Sequence, residues 1–231
     1  MAKTISLGPG IFQVAGAELS DSRDAAGYLI EDDGDLALID VGAGPSYRQI
    51  VANIQGLGLN LKKLRYVIAT HAHIDHIGAL ADFARDYSPT LAAHELDAWA
   101  METADPAYTA ASWYGLALTP VPIDLKLKGP RDKLVLGRTE LICLHAPGHT
   151  PGSLAVYLDR SGRRYLFGQD IHGPFHPGFK SDQGAWRRSM ALLLELEADV
   201  LGEGHFGIHD GRKKVADFIR GFLNDFPCNE G

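Results

Sequence analysis

Hydrophobic and polar positions along the chain follow two different periods. Short apolar runs rich in β-branched and aromatic residues predict strands, and these runs cover residues 11–14, 26–31, 36–41, 66–69, 133–136, 139–144, 153–158, 164–167 and 199–201. Apolar residues at helical spacing predict helices over residues 46–57, 78–87, 185–197 and 212–226. In the first of these helices Ile50, Ile54 and Leu57 share one face, and Gly58 is a typical stop signal.

Turn-forming residues separate these elements. Residues 32–35 and the pair Ser161-Gly162 predict hairpin turns. Residues 119–130 contain three prolines, and residues 173–184 are rich in Gly, Pro and His, so both are predicted loops. Residues 95–118 have a helical composition interrupted by Pro106. Their aromatic residues, which include Tyr114, can pack in the core or form the wall of a pocket.

The order of the elements suggests two similar halves. Strand hairpins lead into residues 37–40 in the first half and into residues 165–170 in the second, and helices follow in both halves. This pattern predicts an α/β (α+β) fold built from two sheet-plus-helix units. No linker composition divides the 231 residues, so we expect a single domain over residues 1–231.

Composition and charge exclude several classes of protein. Apolar residues make up 45% and charged residues 22% of the chain, as in ordinary globular proteins. The formal net charge of −7 disfavours a nucleic-acid partner, because phosphate binding needs clustered Lys and Arg. No apolar stretch approaches the roughly 20 residues that span a bilayer, and residues 1–4 lack the start of a signal peptide. We therefore expect a cytoplasmic protein with a small-molecule substrate and no membrane partner. Cys143 and Cys228 form no disulfide framework.

The segment of residues 70–76 carries the strongest chemical signal. It reads Thr-His-Ala-His-Ile-Asp-His, and it places four cation-binding side chains within six residues: His71, His73, Asp75 and His76. The segment follows a predicted buried strand and precedes a helix, where ligands of open α/β sheets are expected. So many imidazoles and carboxylates are costly to bury without a partner, and a divalent cation is the natural one.

Three later residues share one local context. His149, Asp170 and His205 each follow a predicted strand and each have glycine nearby, in Pro-Gly-His-Thr-Pro-Gly, Gly-Gln-Asp and Gly-Glu-Gly-His. Glycine allows the backbone to approach closely. Imidazole nitrogen and carboxylate oxygen are zinc ligands, so these three residues are candidates to complete a metal site.

The ordered set His-x-His-x-Asp-His, then His, then Asp, then His resembles that of the metallo-β-lactamase-fold hydrolases. The resemblance covers residues 71–205, and residues 38–42 are similar to an early strand-end motif of the family. It implies a four-layer αβ/βα sandwich. The pattern is closer to glyoxalase II-like and lactonase-like members than to the commonest β-lactamases, which have cysteine where Asp170 stands.

Carried over to this chain, the resemblance implies a dinuclear site with these ligands: His71, His73 and His149 for one ion, Asp75, His76 and His205 for the other, and Asp170 as the bridge. It implies two divalent ions, zinc first, with iron or manganese as alternatives. A hydroxide between the ions would then cleave an ester, thioester or lactone. Asp75 is the predicted catalytic residue, because its carboxylate can orient the nucleophile or pass on a proton.

Candidate substrate-binding residues are His172 and His176, which closely follow Asp170, together with Tyr114 from the aromatic segment. Lys180, Arg187 and Arg188 can hold an anionic substrate group or can simply be exposed and paired. Three alternatives to the glyoxalase II-like hydrolase remain: a mononuclear iron dioxygenase of persulfides, a β-lactam hydrolase, and a non-catalytic metal-binding module. Metal content and oxygen consumption separate the first of these from a dinuclear zinc enzyme.

Overall fold

The computed structural model describes residues 3–168 and 170–226, so Cys228 lies outside the described residues. Within them, the first sheet has seven strands in chain order. They are β1 (Ile5–Gly8), β2 (Ile11–Ala15), β3 (Gly27–Asp32), β4 (Asp35–Ile39), β5 (Leu64–Ile68), β6 (Thr90–His94) and β7 (Leu125–Leu127). Pairing is antiparallel from β1 to β4 and parallel from β4 to β7.

The second sheet of the described chain has six strands in the order β13-β12-β11-β10-β9-β8. They are β8 (Arg131–Leu136), β9 (Thr139–His145), β10 (Leu154–Arg160), β11 (Arg163–Phe167), β12 (Val200–Gly202) and β13 (Ile208–Asp210). Strands β11 and β12 pair in parallel, and the other neighbours are antiparallel. The predicted hairpin turns are confirmed, because Asp32 pairs with Asp35 and Arg160 pairs with Arg163.

Helices cover the outer faces of both sheets. The described α-helices are α1 (Tyr47–Gly56), α2 (Ile74–Ile77), α3 (Leu80–Tyr87), α4 (Glu95–Thr103), α5 (Ala111–Tyr114), α6 (Gln183–Glu195) and α7 (Arg212–Asp225). Short 3₁₀ turns span Leu61–Lys63 and Pro177–Phe179. In the part of the chain that the structure describes, no helix is long and apolar enough to cross a membrane.

Three apolar clusters join these elements into four layers. Successive strand residues point to opposite faces, so Leu38 packs with Ile50 and Phe83 under the helices, whereas its neighbour Ile39 packs between the sheets. The second sheet repeats this alternation, since Leu166 packs with α6 and Phe167 packs in the central layer. The predicted four-layer αβ/βα sandwich of two similar halves is therefore confirmed.

The structure corrects several predicted elements. Strands β1, β6, β7 and β13 were not predicted, and the loop predicted over residues 119–130 is wrong where β7 lies. That strand is three residues long at the edge of its sheet, and its pairing with β6 compensates for a sequence crowded with turn formers. The helical prediction for residues 95–118 holds only for α4 and α5, because Ala104 and Ala110 adopt left-handed backbone conformations between them.

Candidate metal centre

The site lies where strands from both sheets end. The segment of residues 70–76 follows β5, and His149 lies in the loop that joins β9 to β10. Asp170 follows β11, and His205 follows β12. Apolar packing between the sheets thus brings side chains from both halves to one edge of the sandwich.

Local structure sets the directions of the first four side chains. His73 has an extended backbone (φ −81°, ψ 141°) and directly precedes the short helix α2. Asp75 and His76 lie inside that helix and are buried. The change from extended to helical backbone after His73 sends His71 and His73 toward one group of ligands, and Asp75 and His76 toward a second.

The first group consists of His71, His73, His149 and Asp170, whose ligand atoms lie within 4.8 Å of one another. His149 Nε2 is 2.9 Å from His73 Nδ1. Asp170 Oδ2 lies 3.4 Å from His149 Nε2 and 3.8 Å from His71 Nε2. All four residues are buried, so their polar atoms converge within the protein.

The second group consists of Asp75, His76 and His205, again with ligand atoms within 4.8 Å. Asp75 Oδ2 lies 3.2 Å from His205 Nε2 and 3.7 Å from His76 Nε2. Asp170 also faces this group, because its Oδ1 lies 3.1 Å from His76 Nε2 and 3.4 Å from His205 Nε2. The two oxygens of Asp170 therefore point to different groups, as a bridging carboxylate requires.

Burial and charge divide these histidines into two kinds. Burial lowers the pKa values of His71, His73 and His149, which leaves these imidazoles neutral with a free lone pair. Burial also acts to lower the pKa of His76, but Asp170, Asp75 and Asp40 outweigh it and raise that pKa well above its ordinary value.

The pKa of His205 shows the same balance. Burial opposes its protonation, but the nearby carboxylates of Asp170 and Asp75 raise the pKa to about 10. Protons on His76 and His205 therefore balance the two carboxylates. A divalent cation at the same position would supply that positive charge and would displace the protons.

The donor set fits metal ions. His71 Nε2, His76 Nε2 and Asp170 Oδ1 are buried and have no hydrogen-bond partner among the described residues. An unpartnered buried polar atom costs about 1–3 kcal/mol, and a cation removes that cost. Neutral imidazole nitrogens with carboxylate oxygens suit zinc, and they also suit iron or manganese.

Surrounding residues fix the ring orientations. Asp40 Oδ2 is 2.7 Å from His76 Nδ1, so Nδ1 carries the proton and Nε2 faces the second group. His149 Nδ1 lies 2.9 Å from the Pro174 carbonyl oxygen, which leaves Nε2 free for the first group. Sequence reasoning noted Asp40 only in the strand-end motif and did not assign this role.

Asp97 is a buried carboxylate that sequence reasoning missed. Its oxygens accept hydrogen bonds from Ala72 N (3.1 Å), Gly152 N (2.8 Å), Thr150 Oγ1 (2.7 Å) and the Tyr108 hydroxyl (2.7 Å). Ala72 lies between His71 and His73, whereas Thr150 and Gly152 follow His149 in the chain. Asp97 therefore joins two ligand-bearing loops. A single acid inside a helical stretch gave no sequence signal for this role.

Glu203 supports the opposite side of the site. Its Oε1 accepts from Ile171 N at 3.1 Å and lies 2.9 Å from His172 Nδ1. Its Oε2 accepts from the backbone of His205 at 2.6 Å and of Phe206 at 2.8 Å. The side chain is fully buried, so it holds the loops that carry Asp170 and His205 in a fixed relation.

A cavity of about 320 Å³ opens beside both ligand groups. Tyr114 and His172, two of the predicted substrate residues, line it, and the Tyr114 hydroxyl donates to Asp75 Oδ2 at 2.9 Å. His176 is not among the described lining residues. It is exposed, it accepts from Gly178 N at the 3₁₀ turn, and its ring lies 5.3 Å from that of Trp113.

Comparisons with known proteins agree with this geometry. The family model described as the metallo-β-lactamase superfamily matches residues 23–205. A solved metallo-β-lactamase from Cronobacter sakazakii superposes with a TM-score of 0.83 at 21% identity, over 98% of this chain and 96% of that one. That likeness concerns the fold.

Two curated relatives are similar in sequence. An acyl-coenzyme A thioesterase of Homo sapiens is 27% identical over 72% of this chain and 64% of its own length. A hydroxyacylglutathione hydrolase of Anaeromyxobacter dehalogenans is 30% identical over 61% of this chain and 44% of its own length. The chain thus spans less than two thirds of either relative.

Proposed function

The chain belongs to the metallo-β-lactamase superfamily of metal-dependent hydrolases, and from this membership we propose that it hydrolyses a small-molecule ester, thioester or lactone with two divalent ions, preferably zinc. The placement of Asp170 carries the proposal of two ions, because its two oxygens face separate ligand groups at 3.1 Å and 3.4 Å. In the proposed reaction, water adds to the acyl carbon. The acyl–oxygen or acyl–sulfur bond breaks, and an acid and an alcohol or thiol leave.

His71, His73 and His149 would hold the first ion, Asp75, His76 and His205 the second, and Asp170 both. When bound, two such ions lower the pKa of water toward about 7 and polarise the substrate carbonyl. Asp75 lines the cavity, so its carboxylate can orient the attacking water and accept its proton. The Tyr114 hydroxyl donates to Asp75 Oδ2 at 2.9 Å and so fixes the direction of that carboxylate.

The relatives support an acyl substrate. The human relative is named an acyl-coenzyme A thioesterase, and the bacterial one is named a hydroxyacylglutathione hydrolase. Both names describe the release of an acyl group by hydrolysis. No serine or cysteine lines the cavity in the part of the chain that the structure describes, which agrees with a reaction that uses no side-chain nucleophile of that kind.

Metal analysis together with a substrate panel tests the proposal. The purified protein should contain about two zinc ions per chain and should hydrolyse a thioester or lactone in a panel that also contains β-lactams and phosphodiesters. Asp170→Ala should lose the ion pair and the activity. Asp217→Ala is the matched control, because Asp217 is an exposed carboxylate on α7 that pairs with Lys213.

Three outcomes would contradict the proposal. One iron per chain with oxygen consumption on persulfides indicates a dioxygenase. Turnover confined to β-lactams indicates a lactamase. Tight metal binding without turnover of any substrate class indicates a non-catalytic metal-binding module. Full activity and two retained ions in Asp170→Ala would refute the assignment of the bridge.

A further inference from the structure

We propose that the cavity beside the metal centre selects substrates whose group next to the scissile bond is uncharged and apolar, an inference that rests on the proposed hydrolase function. Anionic groups of the same size are rejected. The proposal concerns the walls of the cavity, whereas the metal ligands form its floor.

The walls are largely aromatic and aliphatic. The lining includes candidate metal ligands and two further polar residues, His172 and Tyr114. Its other residues are Ala110, Trp113, Pro174, Phe179 and Phe206. Trp113 is 57% exposed and Phe206 is 55% exposed, although both are large apolar side chains. Exposed aromatic residues beside a concave site mark a surface that an apolar group covers when it binds.

Neighbouring aromatic rings hold these two side chains in place. The ring centroid of Trp113 lies 4.8 Å from that of Phe179, which is fully buried. The ring of Phe206 lies 4.9 Å from His172 and 5.7 Å from Phe222. The walls are therefore preformed, which reduces the entropy lost when a substrate chain packs against them.

No lysine or arginine lines the cavity among the residues that the structure describes. Lys180 directly follows Phe179, but its ammonium lies 4.9 Å from the centre of the Trp99 ring and 5.6 Å from that of Tyr108. Arg187 donates to the carbonyl oxygens of Leu223 (2.9 Å) and Phe226 (2.7 Å) at the end of α7. Arg188 is exposed and also lies outside the lining, so none of the three cationic residues considered from the sequence faces the cavity.

The two polar side chains of the wall each already have a carboxylate partner. Tyr114 donates its hydroxyl proton to Asp75. His172 Nδ1 lies 2.9 Å from Glu203 Oε1, and Glu203 is fully buried. A substrate carboxylate placed against these walls, away from the metal ligands, would lose its water without gaining a charged partner from them, which is strongly unfavourable.

The size of the cavity limits the length of the accepted group. At about 30 Å³ for each water-sized unit, 320 Å³ accommodates roughly ten non-hydrogen atoms. A linear group of six to eight carbons therefore fits beside the reacting carbonyl. Each methylene that becomes buried should raise kcat/KM about fourfold until the cavity is full.

The test uses zinc-loaded enzyme and two series of thioesters. One series varies the acyl chain from two to eight carbons with a constant methylthiol leaving group, and the other varies the thiol chain with a constant acetyl group. A hexanoyl thioester is compared with its adipoyl counterpart, which has the same number of carbons and a terminal carboxylate. We expect kcat/KM to rise at least tenfold with chain length in one series, and to fall at least tenfold from hexanoyl to adipoyl.

Two variants test whether the cavity wall causes the preference for longer chains. Trp113→Ala should reduce the chain-length preference at least fivefold, mainly through KM. Trp99→Ala is the matched control, because Trp99 is a partly exposed tryptophan outside the described lining. Equal rates across both series, or an adipoyl rate at or above the hexanoyl rate, would overturn the inference and leave the hydrolase proposal intact.

A binding measurement separates the inference from the proposed function. Calorimetry with aliphatic hydroxamates, which chelate zinc, should give a Kd that falls at least tenfold from acetyl to hexanoyl, and less in Trp113→Ala. If no thioester is hydrolysed but this trend appears, the apolar selectivity stands and the hydrolase proposal fails. A Kd that does not depend on chain length would refute the selectivity whether or not turnover is observed.

Discussion

Replacement of Asp40 by Asn tests how the protein fixes the proton on His76. Asp40 Oδ1 accepts from the Thr70 amide at 2.8 Å, whereas Oδ2 accepts from the Thr70 hydroxyl at 2.7 Å and lies 2.7 Å from His76 Nδ1. An amide side chain has a single acceptor oxygen. If that oxygen keeps the Thr70 amide, the NH₂ group faces His76 Nδ1 and moves the imidazole proton to Nε2. In the other orientation the NH₂ group faces the backbone N–H of Thr70.

The expected loss of metal affinity in Asp40→Asn follows from the position of His76. Loss of a carboxylate that orients a ligating histidine typically weakens metal binding about 10- to 100-fold, or about 1.4–2.7 kcal/mol. The described hydrogen bonds join Asp40 directly to His76, so this loss should fall on the second ion. The first ion should be affected less, because Asp40 reaches His71 only through the Thr70 hydroxyl, which lies 3.1 Å from His71 Nδ1.

Competition titration with a chromophoric zinc chelator, together with metal analysis, measures both affinities. We expect Asp40→Asn to retain one ion tightly and to bind the second 10- to 100-fold more weakly. Asp199→Asn is the matched control, because Asp199 also accepts from a backbone amide, that of Arg164 at 2.8 Å, but lies outside the ligand groups. Two ions bound with wild-type affinity in Asp40→Asn would refute this account of the tautomer.

Three further predictions concern the scaffold. Asp97→Asn should destabilise the metal-free protein by about 1–3 kcal/mol for each donor left unpaired, measured by urea unfolding; an unchanged unfolding midpoint would contradict this. Gly148→Ala should lower the free energy of unfolding by about 1–3 kcal/mol, because φ at residue 148 is +145° and a Cβ there would clash with Trp186 Cα. Thermal melting measures this, and an unchanged melting temperature would be evidence against the close contact. Burial and the nearby His145 lower the pKa of His94 from 6.5 to about 4. The unfolded chain therefore takes up this proton first, and stability should fall as the pH drops from about 6.5 to about 4. His94→Gln should flatten that part of the unfolding profile, and an unchanged slope would exclude His94 as its source.

The residues that the structure brings into the two groups stand out in the sequence because their signal is local. Four donors within residues 70–76, and glycine-flanked His149, Asp170 and His205, stand out without knowledge of the fold. Long-range partners give no such signal. Asp97 accepts from Ala72 and Gly152, which are distant from it in the chain.

The same distinction explains the errors in the secondary structure. Strands with a continuous apolar run, such as β4 and β10, were predicted within a few residues of their ends. Strand β7 depends on pairing with β6 rather than on its own residues, so its sequence resembles a loop. The structure places His176 exposed at the turn Pro177–Phe179, and its role in substrate binding stays a prediction.

The origin of the ligands in both halves has a consequence for assembly. The first group takes His71 and His73 from one sheet unit, and it takes His149 and Asp170 from the other. Each bound ion would therefore cross-link the two halves, as a disulfide links distant segments, but reversibly. A free ion concentration one hundred times Kd would add about 2.7 kcal/mol to the stability of the whole chain. Cellular metal supply would then govern the lifetime of the folded protein as well as its activity.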